Sequence, residues 1–294
     1  MSKKRLVADL LKPNGSEWAK MTNVGWNAIE VETEGGTSRL TRCLGNPPIK
    51  FINPRPQSGT CQVYVSNYGG GLVDGDEVRM RVEGHAGSRL YLGTQSSTKV
   101  YKGDGRNGCL QETVGTLHAN ARAVICPDPV VPFAGSRYRQ AQAWEVHPEA
   151  DLVLFDWLQP GRSARGEVFA YESLRSDVRV TRPGGAPILA ERFGVEPGAR
   201  DPLRCGHFGI FRSVLTVCLI GPNAGPLGAA LETALLALNR PGQAWVGMGR
   251  KDDAGWLVRA MGADRRDVQP VHDTIFAALM DAAWLGFNPW HRRW

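Results

Sequence analysis

The sequence predicts a mainly β fold: stacked, antiparallel-rich β-sheets forming one elongated scaffold, with two α-helices in the C-terminal third. Three observations carry that expectation. Strand-like segments follow one another to about residue 200 with no helical period. Gly 35 and Pro 19 are both numerous, which favours many turns and short strands. Beyond residue 220, leucines recur at helical spacing. The connections between strands are short, and short connections suit antiparallel neighbours.

The elements follow in order. Residues 1–24 form a loose lead-in with a turn at Pro13-Asn14-Gly15-Ser16, and residues 25–294 form one β-rich domain. Ile29, Val31 and Thr33 share one face of a strand that ends at Gly35-Gly36. A short strand at 40–44 precedes Asn46-Pro47-Pro48, and 62–65 runs into the triplet Gly69-Gly70-Gly71. Residues 78–82 alternate again. Residues 89–101 give the longest strand signal, with Leu90, Leu92, Thr94, Ser96, Thr98 and Val100 on one face. That face is either an ordinary solvated surface or a polar-lined path between sheets. Strands are also expected at 114–126, 143–148, 152–157, 167–181, 188–195, 213–220 and 243–248, with one more at 257–261. Leu227, Leu231, Leu235 and Leu238 mark the first helix, with Pro226 in its first turn. Val268, Val271, Ile275, Leu279 and Ala282 mark the second, capped near Asp264 or Asp267.

Composition narrows the function classes. Apolar content of 42% and charged content of 22% are those of a globular chain with a sizeable core. The net charge of +6 includes Lys3-Lys4-Arg5 and Arg292-Arg293, and no basic stripe interleaved with aromatics suggests nucleic-acid binding. No apolar stretch is long enough for a membrane span. Six widely spaced cysteines without a preceding signal peptide point to reduced thiols and a cytoplasmic location.

Catalytic motifs are sparse. Gly103-Asp104-Gly105-Arg106-Asn107-Gly108 fits a dinucleotide fingerprint, but no helix opens after it, so it reads as a hairpin loop. There is no P-loop, and Gly161-Arg162-Ser163-Ala164-Arg165-Gly166 misses the nucleophile-elbow spacing by one residue. Cys205-Gly206-His207 offers two metal donors without a third. His272-Asp273 reads as a solvated helix face. Asp74 and Asp76 follow the glycine triplet. Two carboxylates one residue apart can converge on a divalent cation. Val-Asp-Gly-Asp is equally a tight turn, and on the residues alone the turn is the simpler reading.

Four blocks in order carry a resemblance. They are Gly69-Gly70-Gly71-Leu72-Val73-Asp74-Gly75-Asp76; then Thr94-Gln95-Ser96-Ser97-Thr98-Lys99-Val100-Tyr101; then Pro127-Asp128-Pro129-Val130-Val131-Pro132-Phe133 with Arg137-Tyr138-Arg139-Gln140; and Pro160-Gly161-Arg162-Ser163-Ala164-Arg165-Gly166-Glu167. Together they resemble the urease accessory proteins UreD, also called UreH, over roughly residues 25–290. The resemblance implies a non-enzymatic urease maturation factor. Its expected partners are urease apoprotein, UreF and, through UreF, the GTPase UreG. It implies no tightly bound cofactor, only transient nickel passed along a polar interior path. By motif position Asp76 and Glu167 are the expected metal-path residues, Asp156 is a third, and Thr94, Gln95 and Lys99 are expected to line the path. Asp74 departs from the family pattern, which has a small residue there. The alternative is a metal-dependent hydrolase with Asp74, Asp76 and Glu167 as ligands.

Overall fold

A computed structural model describes residues 25–103, 107–251 and 255–289. The expected lead-in over 1–24, the basic ends and part of the 103–108 loop lie outside the described residues.

Seventeen strands, numbered along the chain, fall into two stacked sheets among the described residues. The first sheet holds β1 (Trp26–Glu34), β2 (Thr37–Leu44), β5 (Glu77–Gly84), β8 (Cys109–Leu117), β11 (Arg137–Val146), β13 (Ser173–Thr181) and β14 (Pro187–Val195), in the order β14-β13-β11-β8-β5-β1-β2. The second holds β3 (Ile49–Ile52), β4 (Cys61–Asn67), β6 (Arg89–Thr94), β9 (Arg122–Cys126), β12 (Asp151–Leu158), β15 (Ser213–Ile220), β16 (Ala244–Lys251) and β17 (Gly255–Gly262), in the order β16-β17-β15-β12-β9-β6-β4-β3. The short strands β7 (Thr98–Val100) and β10 (Val130–Pro132) join its margin.

The mainly β, stacked-sheet architecture with two late helices agrees with the sequence. The pairing sense does not: nine strand pairs are parallel and six antiparallel. The reason is the path of the chain. From β4 to β13 it alternates between sheets, climbing one rung at a time. Turns 85–88, 118–121 and 147–150 carry it from the first sheet to the second, and longer loops bring it back. Short connections impose antiparallel pairing only when the joined strands share a sheet. Here they do not, so β1, β5, β8, β11 and β13 all run the same way.

Burial follows this layering. Ile29, Val31 and Val82 from the first sheet meet Leu90, Leu92, Ile125 and Leu154 from the second. The far face of the second sheet is covered by α1 (Ala224–Leu236) and α2 (Arg265–Leu279), through Leu231, Leu235, Val271 and Ile275. Strand β12 is therefore apolar on both faces: Leu152 and Leu154 point between the sheets, while Val153, Phe155 and Trp157 point to the helices. The first turn of α2 carries a capping box, in which Asp264 accepts from Arg266 N and Asp267 accepts from Asp264 N.

Three local expectations are corrected. The single strand at 89–101 is broken, because the chain bends at 95–97 between β6 and β7. The strand expected over 114–126 is two strands with a turn between them. His272 is 4% exposed rather than solvated, and stacks on Trp157 and Phe276.

Candidate functional site

Asp156 is the polar break in the apolar run of β12. Period two puts it on the same face as Leu152 and Leu154, between the sheets. There it lines a cavity of about 70 Å³. One water needs on the order of 10–15 Å³ on such a measure, so the cavity has room for a few waters. Thr94, Thr98, Gln111, Asp128 and Gln140 are also in the wall.

The polar groups form a network. Asp156 accepts from Gln140 Nε2 at 2.7 Å and from Ser176 Oγ at 2.6 Å. The Tyr138 hydroxyl lies 3.1 Å from Oε1 of both Gln111 and Gln140. Thr94 Oγ1 donates to Asp128 Oδ2 at 3.0 Å and accepts from Asp128 N at 2.7 Å. Desolvation between the sheets pushes the Asp156 carboxyl above its ordinary range, and the bonds from Ser176 and Gln140 offset part of that rise. Burial also raises the Tyr138 phenol, with the Asp156 and Cys109 charges adding to it.

The glycine triplet borders this region. Gly70 has a φ of +71°, and an ideal Cβ on Gly71 would lie 2.6 Å from Lys99 O. Only glycine permits that approach, which lets Leu72 pair with β7 through Leu72 N to Lys99 O and Tyr101 N to Leu72 O, both 2.8 Å. Beyond it, Asp76 Oδ2 accepts from Val73 N at 2.8 Å and closes the 73–76 turn. Asp74 Oδ1 accepts from Gly108 N at 2.7 Å and ties this turn to the neighbouring loop. The extra carboxylate thus has a local structural partner. Cys109, the register neighbour of Tyr138, donates to Val73 O at 3.0 Å. Its thiol is pushed up to about 12, mainly by burial, then by the charges of Asp76 and Asp74.

Glu167 sits just beyond a short 3₁₀ turn at Ser163–Arg165. Both its oxygens meet the Arg162 guanidinium, one at 2.8 Å from Nε, and Oε2 also accepts from Ala134 N at 3.1 Å. Arg162 in turn lies 4.0 Å over the Phe133 ring. Arg162 holds the Glu167 carboxyl below its usual range. Gly161 permits this clamp: its φ is +132°, and a Cβ there would lie 2.6 Å from Glu167 O.

Of the residues singled out from the sequence, Asp156 and Thr94 line the cavity. Asp76 and Glu167 are held in loops outside the wall. Gln95 and Lys99 are exposed: Gln95 lies in the bend at 95–97, and Lys99 points outward between buried Thr98 and Val100 of β7. Sequence reasoning missed Asp128, Gln140, Tyr138 and Ser176. The first three stood inside or beside the quoted blocks, and their polarity within strand-rich sequence was the available signal. Cys205 and His207 are exposed, and His207 Nδ1 contacts Asp201 O at 2.9 Å. Asp74, Asp76 and Glu167 do not converge as a ligand trio: among the described residues, the trio whose donor atoms do converge is Glu83, His85 and His118. That removes the geometric basis of the hydrolase alternative.

Two stacked sheets coiled rung over rung about an apolar core that holds one partly polar cavity, with helices on one face, define a solenoid-like β scaffold. The family model described as UreD urease accessory protein matches residues 24–294. The chain belongs to that family. It is 35% identical over 261 residues to a urease accessory protein UreD of Sorangium cellulosum, covering 88% of this chain and 81% of the relative. It is 27% identical over 277 residues to a UreD of Cytophaga hutchinsonii, covering 90% and 96%. A urease accessory protein D of Arabidopsis thaliana is 37% identical over 167 residues, covering 55% and 57%. Family membership implies a role in urease maturation and contact with its machinery. Among the described residues no helix is long and apolar enough to cross a membrane.

Proposed function

We propose that this protein is a cytoplasmic, non-catalytic scaffold that binds urease apoprotein and UreF, recruits UreG through UreF, and passes nickel through its interior toward the urease active site. The observation that supports this reading best is the cavity between the sheets, whose wall sets Asp156 and other polar groups among apolar side chains such as Leu92 and Ile125. Asp156 and Asp128 are the two carboxylates of that wall; taken singly, a carboxylate attracts a divalent cation yet releases it, because stable capture needs several convergent ligands. The surrounding amide and hydroxyl oxygens supply weak successive contacts of the kind that conduct rather than trap an ion. Asp76, near Cys109 at the border of the cavity, is the proposed neighbour along the route. Glu167, clamped by Arg162, is proposed to act at a loop outside the cavity wall, where release from the clamp frees its carboxylate.

The test is made in a ureolytic host. Replacing the gene with Asp156→Asn should leave urease protein and the accessory complex formed, with urease poor in nickel and inactive. Full nickel content with normal activity would refute the conduit. A lost complex would instead point to a purely structural role.

A further inference from the structure

The turns at the other end of the sheets carry a feature the conduit does not use. Turns 85–88 and 118–121 both open on histidine, and both are closed by backbone bonds at 3.0 Å, from Ser88 N to His85 O and from Ala121 N to His118 O. They follow the adjacent parallel strands β5 and β8, so His85 and His118 sit one rung apart. Their rings stack with centroids 5.4 Å apart and an interplanar angle of 4°. Glu83, at the end of β5, places Oε1 3.0 Å from His118 Nε2. Glu32 of β1 places Oε1 3.8 Å from His85 Nε2. His85 Nε2 is shielded from solvent and makes no hydrogen bond. One donor atom each from Glu83, His85 and His118 lies within 4.8 Å of the others.

We propose that Glu83, His85 and His118 bind one borderline divalent cation of the zinc or nickel class. Two imidazole nitrogens with a carboxylate suit such ions, whereas magnesium and calcium prefer oxygen-only shells. Three protein ligands leave room for water or for Glu32 as the fourth. The cation also accounts for the unspent nitrogen of His85, since a shielded polar atom without a partner costs about 1–3 kcal/mol. The three side chains are 30%, 36% and 44% exposed for Glu83, His85 and His118, so they can draw in around an ion without disturbing the core. Strand β5 separates this site from the Asp76 end of the molecule by ~20 Å, at about 3.3 Å per residue. The site therefore stands apart from the cavity and holds metal at the surface.

The test uses the full chain fused to a soluble carrier protein that binds no metal, stripped of metal by dialysis against chelator, then titrated with Zn²⁺ and separately with Ni²⁺ by calorimetry. His85→Ala/His118→Ala should lose one bound equivalent. Glu83→Gln should bind at least ~10-fold more weakly, the lower limit for disturbing a metal shell. Co²⁺ bound to the wild-type chain should give visible absorption bands that vanish in the double variant and persist in Asp156→Asn. Circular dichroism should be unchanged throughout. No binding by the wild-type chain, or equal stoichiometry and affinity in all variants, would overturn the proposal. Either result leaves the conduit reading untouched, because that reading stands on Asp156 and urease nickel content.

Discussion

Asp156 shows how one residue is set against the environment that surrounds it. Its folded pKa is raised, so the folded state holds its proton to higher pH than the unfolded chain does. Stability contributed by that proton is present at low pH and lost as pH rises through the raised value. Asp156→Asn should therefore raise the melting temperature at pH 7, and the gain should shrink as pH falls toward the ordinary aspartate range. Thermal melts across pH check this; a gain independent of pH would show that the carboxylate carries no such cost. Gly161→Ala should behave oppositely. It forces a side chain into positive φ against Glu167 O, at a cost of about 1–3 kcal/mol, read as a lowered denaturant midpoint. At this scale the sequence was partly legible. Asp156 stands out as the single acid inside an apolar run. Its partners Gln140 and Ser176 do not, because they arrive from β11 and β13 and no local pattern announces the meeting.

Elements were legible where a period could be read locally. The first helix and most strands match their expected spans because apolar spacing of 3.6 or 2 reflects one buried face. The bend at 95–97 was hidden because hydroxyl residues suit both a polar strand face and a turn. His272 was misread for a similar reason: its stacking partner Trp157 comes from β12, far along the chain. The tight seating of α2 on the second sheet gives a further expectation. Ile275 is 0% exposed, so Ile275→Ala should cost about 2–5 kcal/mol in chemical denaturation, with secondary structure retained in the absence of denaturant.

For the whole molecule, strand order was the quantity that the sequence withheld. Nothing local says whether the next strand joins the same sheet or the opposite one, and that choice decides parallel against antiparallel. The surface also carries exposed apolar side chains, with Tyr68 at 65%, Val73 at 53%, Ile210 at 52% and Trp245 at 47% exposure. Such groups favour association. The isolated chain should aggregate on size-exclusion chromatography and become monodisperse when UreF is co-expressed; a stable monodisperse chain alone would contradict this.

The alternating path has a consequence for how such a chain can vary. Each four-residue turn hands the chain from one sheet to the other in fixed phase, and side chains alternate between faces with a period of two. A single-residue deletion within β8 would invert the facing of the residues beyond it on that rung. Leu117, buried between the sheets, would turn outward and its half-buried neighbour Thr116 inward, while the neighbouring rungs kept their pairing. The long return loops absorb changes of length without that penalty. Insertions and deletions should therefore be better tolerated in the return loops at the cavity end than in the histidine-bearing turns.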